Sequence, residues 1–217
     1  MKAITKITTL MMICIFTLAF SQQAEATDYQ TIMKQTIGKM QQSNHPDSLN
    51  QVAATFYRIA QTQPKEWLPY YYASFSYVSV TFAEKDADAI HSYLDKAQQM
   101  LDLAMKVNPN ESELHVLQGL IYSKRITDMT KGYKYSTLSN EVLAKAEVLN
   151  PNNPRIYFCK GQNVMNTPAM FGGGKAKALP LFEKALSLFE KQTRTNELMP
   201  NWGYKPLAQL INVCRED

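Results

Sequence analysis

Two stretches, VNPNESELHVLQGL (residues 107–120) and LNPNNPRIYFCKGQ (residues 149–162), open on the same Asn-Pro-Asn phrase and place a glycine ten residues after its first proline, Gly119 and Gly161. Upstream of each phrase the same three positions recur: Ala97, Leu101 and Ala104 before the first, Ser139, Leu143 and Ala146 before the second. A spacing of four and then three keeps such side chains on one face of a helix. It returns a third time as Ala178, Phe182 and Ala185. Further upstream, Pro64 has the small residue Ser74 at the glycine offset, and Tyr77 and Tyr122 stand three residues beyond Ser74 and Gly119, where the third copy has Val164. A small residue followed by a bulky one is what two close antiparallel helices need, because the backbones approach at the first and the second fills the neighbouring groove.

The chain therefore reads as repeated helical pairs. Helices are predicted near 28–43, 48–62, 67–83, 86–107, 112–125, 132–149, 154–165, 174–190 and 204–213, with boundaries set by prolines and asparagines such as Asn44-His45-Pro46-Asp47 and Gln63-Pro64. No segment alternates polar and apolar residues for long enough to predict a strand. RITDMTKGYKY, after Lys124, reads as an extended turn with lengthened helices. The tail NELMPNWGYKPLAQLINVCRED, residues 196–217, leaves the pattern and reads as a cap on the last repeat.

Residues 1–26 have the layout of a secretory leader: Lys2 and Lys6, an apolar run from Ile7 to Phe20, and small-residue exits that place cleavage after 21 or 26. The run is shorter than the roughly 20 residues needed to cross a bilayer. Residues 27–217 are then one exported helical domain, periplasmic or secreted, with no membrane span after cleavage. Cleavage after residue 21 removes two positive charges from a net of +4, leaving too weak a field to gather nucleic acid. Cys159 and Cys214 can pair in such a compartment or remain two buried thiols; both stay open.

These residues resemble the tetratricopeptide repeat, a helix-turn-helix unit of 34 residues with small and bulky positions in this order. The resemblance covers about residues 50–190 and implies an all-α array of about three repeats plus flanking helices. The Asn-Pro-Asn phrases lie 42 residues apart, which departs from the family period. The leader, the Asn-Pro-Asn-Asn-Pro-Arg and Thr-Pro-x-x-Phe-Gly-Gly-Gly phrases and Pro-Asn-Trp-Gly are together similar to small periplasmic repeat proteins of Bacteroidetes, and more weakly to repeat proteins associated with periplasmic transporters. In the family the first helix of each pair lines a concave groove. That register implies a groove of Leu68, Tyr71, Phe75 and Val78, then Glu113, Val116 and Leu120, then Arg155, Phe158 and Gln162. Neighbouring helices could equally cover these positions. Tyr71, Phe75, Val116 and Leu120 stand where peptide-clamping members carry Lys and Asn, so no carboxylate clamp is expected.

AMFGGGKA (residues 169–176) has Lys after glycines but lacks the first glycine and the Ser or Thr of a phosphate loop. It is expected to be a turn inside the third pair, with positive φ at Gly173. The three histidines show no metal-ligand spacing, no G-x-S-x-G elbow exists, and Asp86, Asp88 and His91 read as a solvated helix start. The sequence thus points to a non-enzyme without cofactor or metal: an exported scaffold for a protein or peptide partner. The alternatives are a periplasmic binder of a small apolar ligand and, behind it, a hydrolase with dispersed residues.

Overall fold

The first helix of each pair is buried around nearly its whole circumference, whereas the second buries only a stripe, and this difference sets the layering. The computed structural model describes residues 28–193 and 196–216; the leader expected at 1–26 lies outside them. In order come α1 (residues 28–42), α2 (Pro46–Thr62), α3 (Trp67–Val80), α4 (Ala87–Val107), α5 (Ser112–Lys124), α6 (Met129–Leu149), α7 (Pro154–Asn166), α8 (Lys175–Lys191) and α9 (Leu207–Arg215). Among the described residues there is no strand. The inner helices α3 and α5 bury most of their residues. The outer helices bury the predicted stripes: Ala97, Leu101 and Ala104 with Leu94 on α4, Ser139, Leu143 and Ala146 on α6, and Ala178, Phe182 and Ala185 on α8.

Close approach occurs at the small positions. A Cβ on Gly119 would stand 2.8 Å from Leu143 Cγ, and one on Gly161 would stand 2.6 Å from Phe182 Cε1. Ser74 and Ser139 tie their pairs across, donating to the carbonyls of Ala97 and Gly119 at 2.8 Å each. Polar side chains cap the helix starts and satisfy amides that have no partner inside the helix: Asp86 accepts from Ala89 N, Asp128 from Thr130 N and Lys131 N, and Asn153 from Arg155 N.

Two expectations are corrected and a third is extended. The segment after Lys124 is a short turn: Asp128 starts α6 at Met129, and the residues beyond the family period lie in α6, which is 21 residues long, as is α4. In the glycine turn, positive φ falls on Gly172 (87°) and Gly174 (108°), not on Gly173. Gly173 is needed for want of room, since a Cβ there would run into the backbone carbonyl of Thr167. Gly173→Ala is therefore expected to cost about 1–3 kcal/mol in urea unfolding by forcing that turn apart. Finally, the tail does two things. Its helix α9 covers α8 through Leu207, Ile211 and Cys214, while residues 198–202 turn back over the inner helices.

Candidate functional site

That returning strap is held at Leu198 and Pro200 by inner-helix side chains. The Tyr72 hydroxyl donates to the Leu198 carbonyl at 2.8 Å, and the Arg155 guanidinium donates to the Pro200 carbonyl. Beyond them Trp202 inserts into the concave face. Its indole N–H donates to the Tyr71 hydroxyl at 2.7 Å, its ring stacks on Phe75 with centroids 5.3 Å apart, and it meets Phe158 edge-on at 6.0 Å. Two apolar clusters fill the array, one on each side, and Trp202 packs against both.

The polar part of this face is a network at the starts of α5 and α7. Arg155 Nε donates to Glu113 Oε2 at 3.1 Å, and Asn153 Nδ2 donates to Glu113 Oε1 at 2.9 Å and to Ser112 Oγ at 3.0 Å. The guanidinium lies over the rings of Phe189 (5.5 Å) and Trp202 (5.9 Å), a favourable placement for a cation on an aromatic face. Arg155 Nη1 is buried without a hydrogen-bond partner among the described residues. Burial pushes the Glu113 carboxyl above its ordinary range, and the Arg155 charge works against that rise. The Tyr71 hydroxyl is pushed well above its usual value by burial and by the Glu113 charge, so it stays protonated and accepts from Trp202.

The groove positions expected from the repeat register thus lie together, but not open to solvent. Leu68, Tyr71, Phe75, Val78, Glu113, Val116, Leu120, Arg155 and Phe158 are buried, and Gln162 is half-buried. Cys159 and Cys214 sit in one apolar cluster as thiols rather than as a disulfide. Burial pushes the Cys159 thiol up to about 12, which removes it as a nucleophile at neutral pH. Among the described residues no group of three or more His, Cys, Asp or Glu stands close enough to hold a metal ion, and no helix is long and apolar enough to cross a membrane.

What remains open is a cleft of about 370 Å³ beside the strap. Its walls are Met40, Leu49, Tyr72, Phe75, Phe82 and Trp202, and its rim carries Gln41, Ser43, Asn44 and Asn201. Phe82 is more than half exposed and lies under Lys124 Nζ at 4.7 Å. A few aromatic walls with a polar rim suit a flat, largely apolar molecule, which gains from ring-to-ring contact and needs polar groups only to orient it. A second cleft of about 310 Å³ between α8 and α9 is poorer: it has no aromatic wall, and the Arg215–Glu183 ion pair (2.6 Å) stands among its lining residues. Of the cleft walls sequence reasoning found Phe75 and missed Met40, Leu49, Tyr72, Phe82 and Trp202; it also found Tyr71, which lies outside the cleft and holds the Trp202 indole. The signal for Trp202 was a tryptophan in a Pro- and Gly-flanked segment with no helical periodicity of its own.

No family model matches the chain, and no curated protein does. Among solved structures it is similar to the HusA haemophore from Porphyromonas gingivalis, with 30% identity and a TM-score of 0.78 over 86% of this chain and 92% of that one. It is also similar to a thermophilic TPR protein from Thermus thermophilus, with 20% identity and a TM-score of 0.50 over 79% of this chain and 89% of that one. The second likeness concerns the fold alone: a tetratricopeptide-like helical array.

Proposed function

We infer, since this chain belongs to the tetratricopeptide-like family of HusA, that it is an exported carrier which captures a flat apolar ligand of the porphyrin class, haem first among them. The observation that carries this reading is the aromatic cleft beside Trp202. A porphyrin ring entering it would lie against Phe82, while Phe75, already stacked between Tyr71 and Trp202, offers only its edge, and Lys124, stacked on Phe82, stands where an acidic ring substituent would be neutralised. No lining residue is His or Cys, so the walls offer the ring contact rather than those two common iron ligands. The reading requires no bond-making step, which agrees with the non-enzyme expectation. Export is supported by the leader-like residues 1–26.

The peptide-scaffold reading has less support, because a partner in the concave groove would have to displace the chain's own strap from Tyr72, Arg155 and Tyr71. An absorbance titration with haem separates the two. Saturable binding is expected, and Phe82→Ala should weaken it about tenfold or more, since a buried Phe side chain contributes about 1.5–3 kcal/mol. Because Phe82 is exposed in the free protein, the variant should keep its stability. Absence of saturable binding, or equal affinity in the variant, would count against the cleft.

A further inference from the structure

Charge and exposed apolar surface are concentrated on one edge of the array. The inner helices run in the same direction. The starts of α5 and α7 are joined through Glu113–Arg155 and Ser112–Asn153, and the ends of α3 and α5 meet where Lys124 covers Phe82. The turns that follow these helices, residues 81–86, 125–128 and 167–174, therefore share an edge. Asn163, donating to Ser139 Oγ and Asn140 Oδ1, holds the end of α7 beside the middle of α6.

Residues 81–86, 124–135 and 167–177 carry seven Lys or Arg against three acids, Glu84, Asp86 and Asp128, a net of +4. The whole chain has +4, so all its other residues together sum to zero. On the last two of these segments stand Met129 (89% exposed), Tyr133 (85%), Met170 (83%) and Phe171 (69%). Met129 and Tyr133 are four apart on α6 and share a face. Met170 and Phe171 form the short 3₁₀ turn ahead of the glycines. Large apolar side chains left this exposed beside a positive field mark an interaction surface.

We propose that this edge docks on an anionic lipid bilayer, the four apolar side chains entering the headgroup region and the lysines meeting lipid phosphates. Charge complementarity selects the occupant, because basic segments gain from an anionic leaflet and amphipathic apolar groups gain from shallow burial. Shape agrees. The four side chains lie on a helix start and a turn tip, and lysine stems can lie along the bilayer while their heads stay at the phosphates. A fluid surface accommodates such points, whereas a protein partner would need matching pockets.

The test is co-flotation of residues 27–217, without haem, on vesicles of phosphatidylcholine alone and on vesicles containing phosphatidylglycerol. Binding is expected to be about tenfold or more stronger on the anionic vesicles and to fall when salt is raised from about 50 to about 500 mM. Met170→Ser/Phe171→Ser and Met129→Ser/Tyr133→Ser should each weaken it about fivefold or more, with melting temperatures kept because all four side chains are exposed. Lys134→Gln/Lys177→Gln should remove most of the preference for anionic lipid. Equal partition on the two lipids, or unchanged binding in the folded variants, would overturn the proposal. So would retention on envelope material through a protease-sensitive component without vesicle binding, which would assign the edge to a protein. Haem binding at the cleft is scored separately, since the vesicles carry none and no cleft residue is changed.

Discussion

Arg155→Met is expected to lower the unfolding free energy by about 3–5 kcal/mol, because it leaves a buried carboxylate without its counter-charge. The pair sits under the strap, with Arg155 and Glu113 both almost wholly buried, and water cannot compensate there. The same change removes the donor to the Pro200 carbonyl and the cation over Trp202, so the strap loosens with it. Urea unfolding checks the size of the effect, a lower midpoint with unchanged slope indicating lost stability alone. Its pH dependence checks the cause. Glu113 already titrates above its ordinary value, raised by burial and held down by Arg155. Without Arg155 it rises further, so the folded state of the variant binds a proton that the unfolded state releases. The defect should then shrink as pH falls towards the unfolded carboxylate value and grow as pH rises through the folded one. A defect that does not change with pH would mean that the loss comes from packing rather than charge. Glu113→Gln combined with Arg155→Met should recover part of the stability, because no buried charge is then stranded.

Phe182→Ala should cost about 3–5 kcal/mol, the range for truncating a buried aromatic side chain. Its ring fills the space over Gly161 and lies tilted to Phe158 at 6.4 Å. Gly161→Ala should cost about 1–3 kcal/mol through the clash with that ring. The double variant discriminates between a shared site and two separate defects. A methyl group at residue 161 has room once the ring is gone, so the combined loss should be clearly less than the sum of the two, a coupling of about 0.5–3 kcal/mol. Strict additivity in thermal or urea unfolding would show that the two residues do not face each other.

Helical pairing was legible because its signals are short-range and repeat. Ser74, Gly119 and Gly161 at one offset from a proline, with stripes four and three apart, state the close approach without any knowledge of distant contacts. The strap was not legible in the same way. Trp202 meets Tyr71 across 131 residues and Leu198 meets Tyr72 across 126, and nothing local in Leu-Met-Pro-Asn-Trp specifies which face it covers. The tail was read as a cap, and α9 does cover α8, but residues 198–202 fill the groove that the repeat register had left as a candidate binding face. One long-range pair could have been found. Glu113 and Arg155 each stand four residues after the proline of an Asn-Pro-Asn phrase, so stacking adjacent repeats brings opposite charges to one level. The cleft escaped because Met40, Phe82 and Trp202 come from a flanking helix, a turn and the strap, elements outside the repeat register.

The most direct test of the cleft as a ligand site is a nuclear magnetic resonance titration of isotope-labelled residues 27–217 with gallium(III) protoporphyrin, a diamagnetic surrogate for haem. The porphyrin ring current should produce saturable shifts that are largest at Met40, Phe82, Ala83, Asn201 and the indole N–H of Trp202, all of them around the cleft. Shifts that fail to saturate, or that centre on Leu186, Glu190 and Ile211 between α8 and α9, would contradict it.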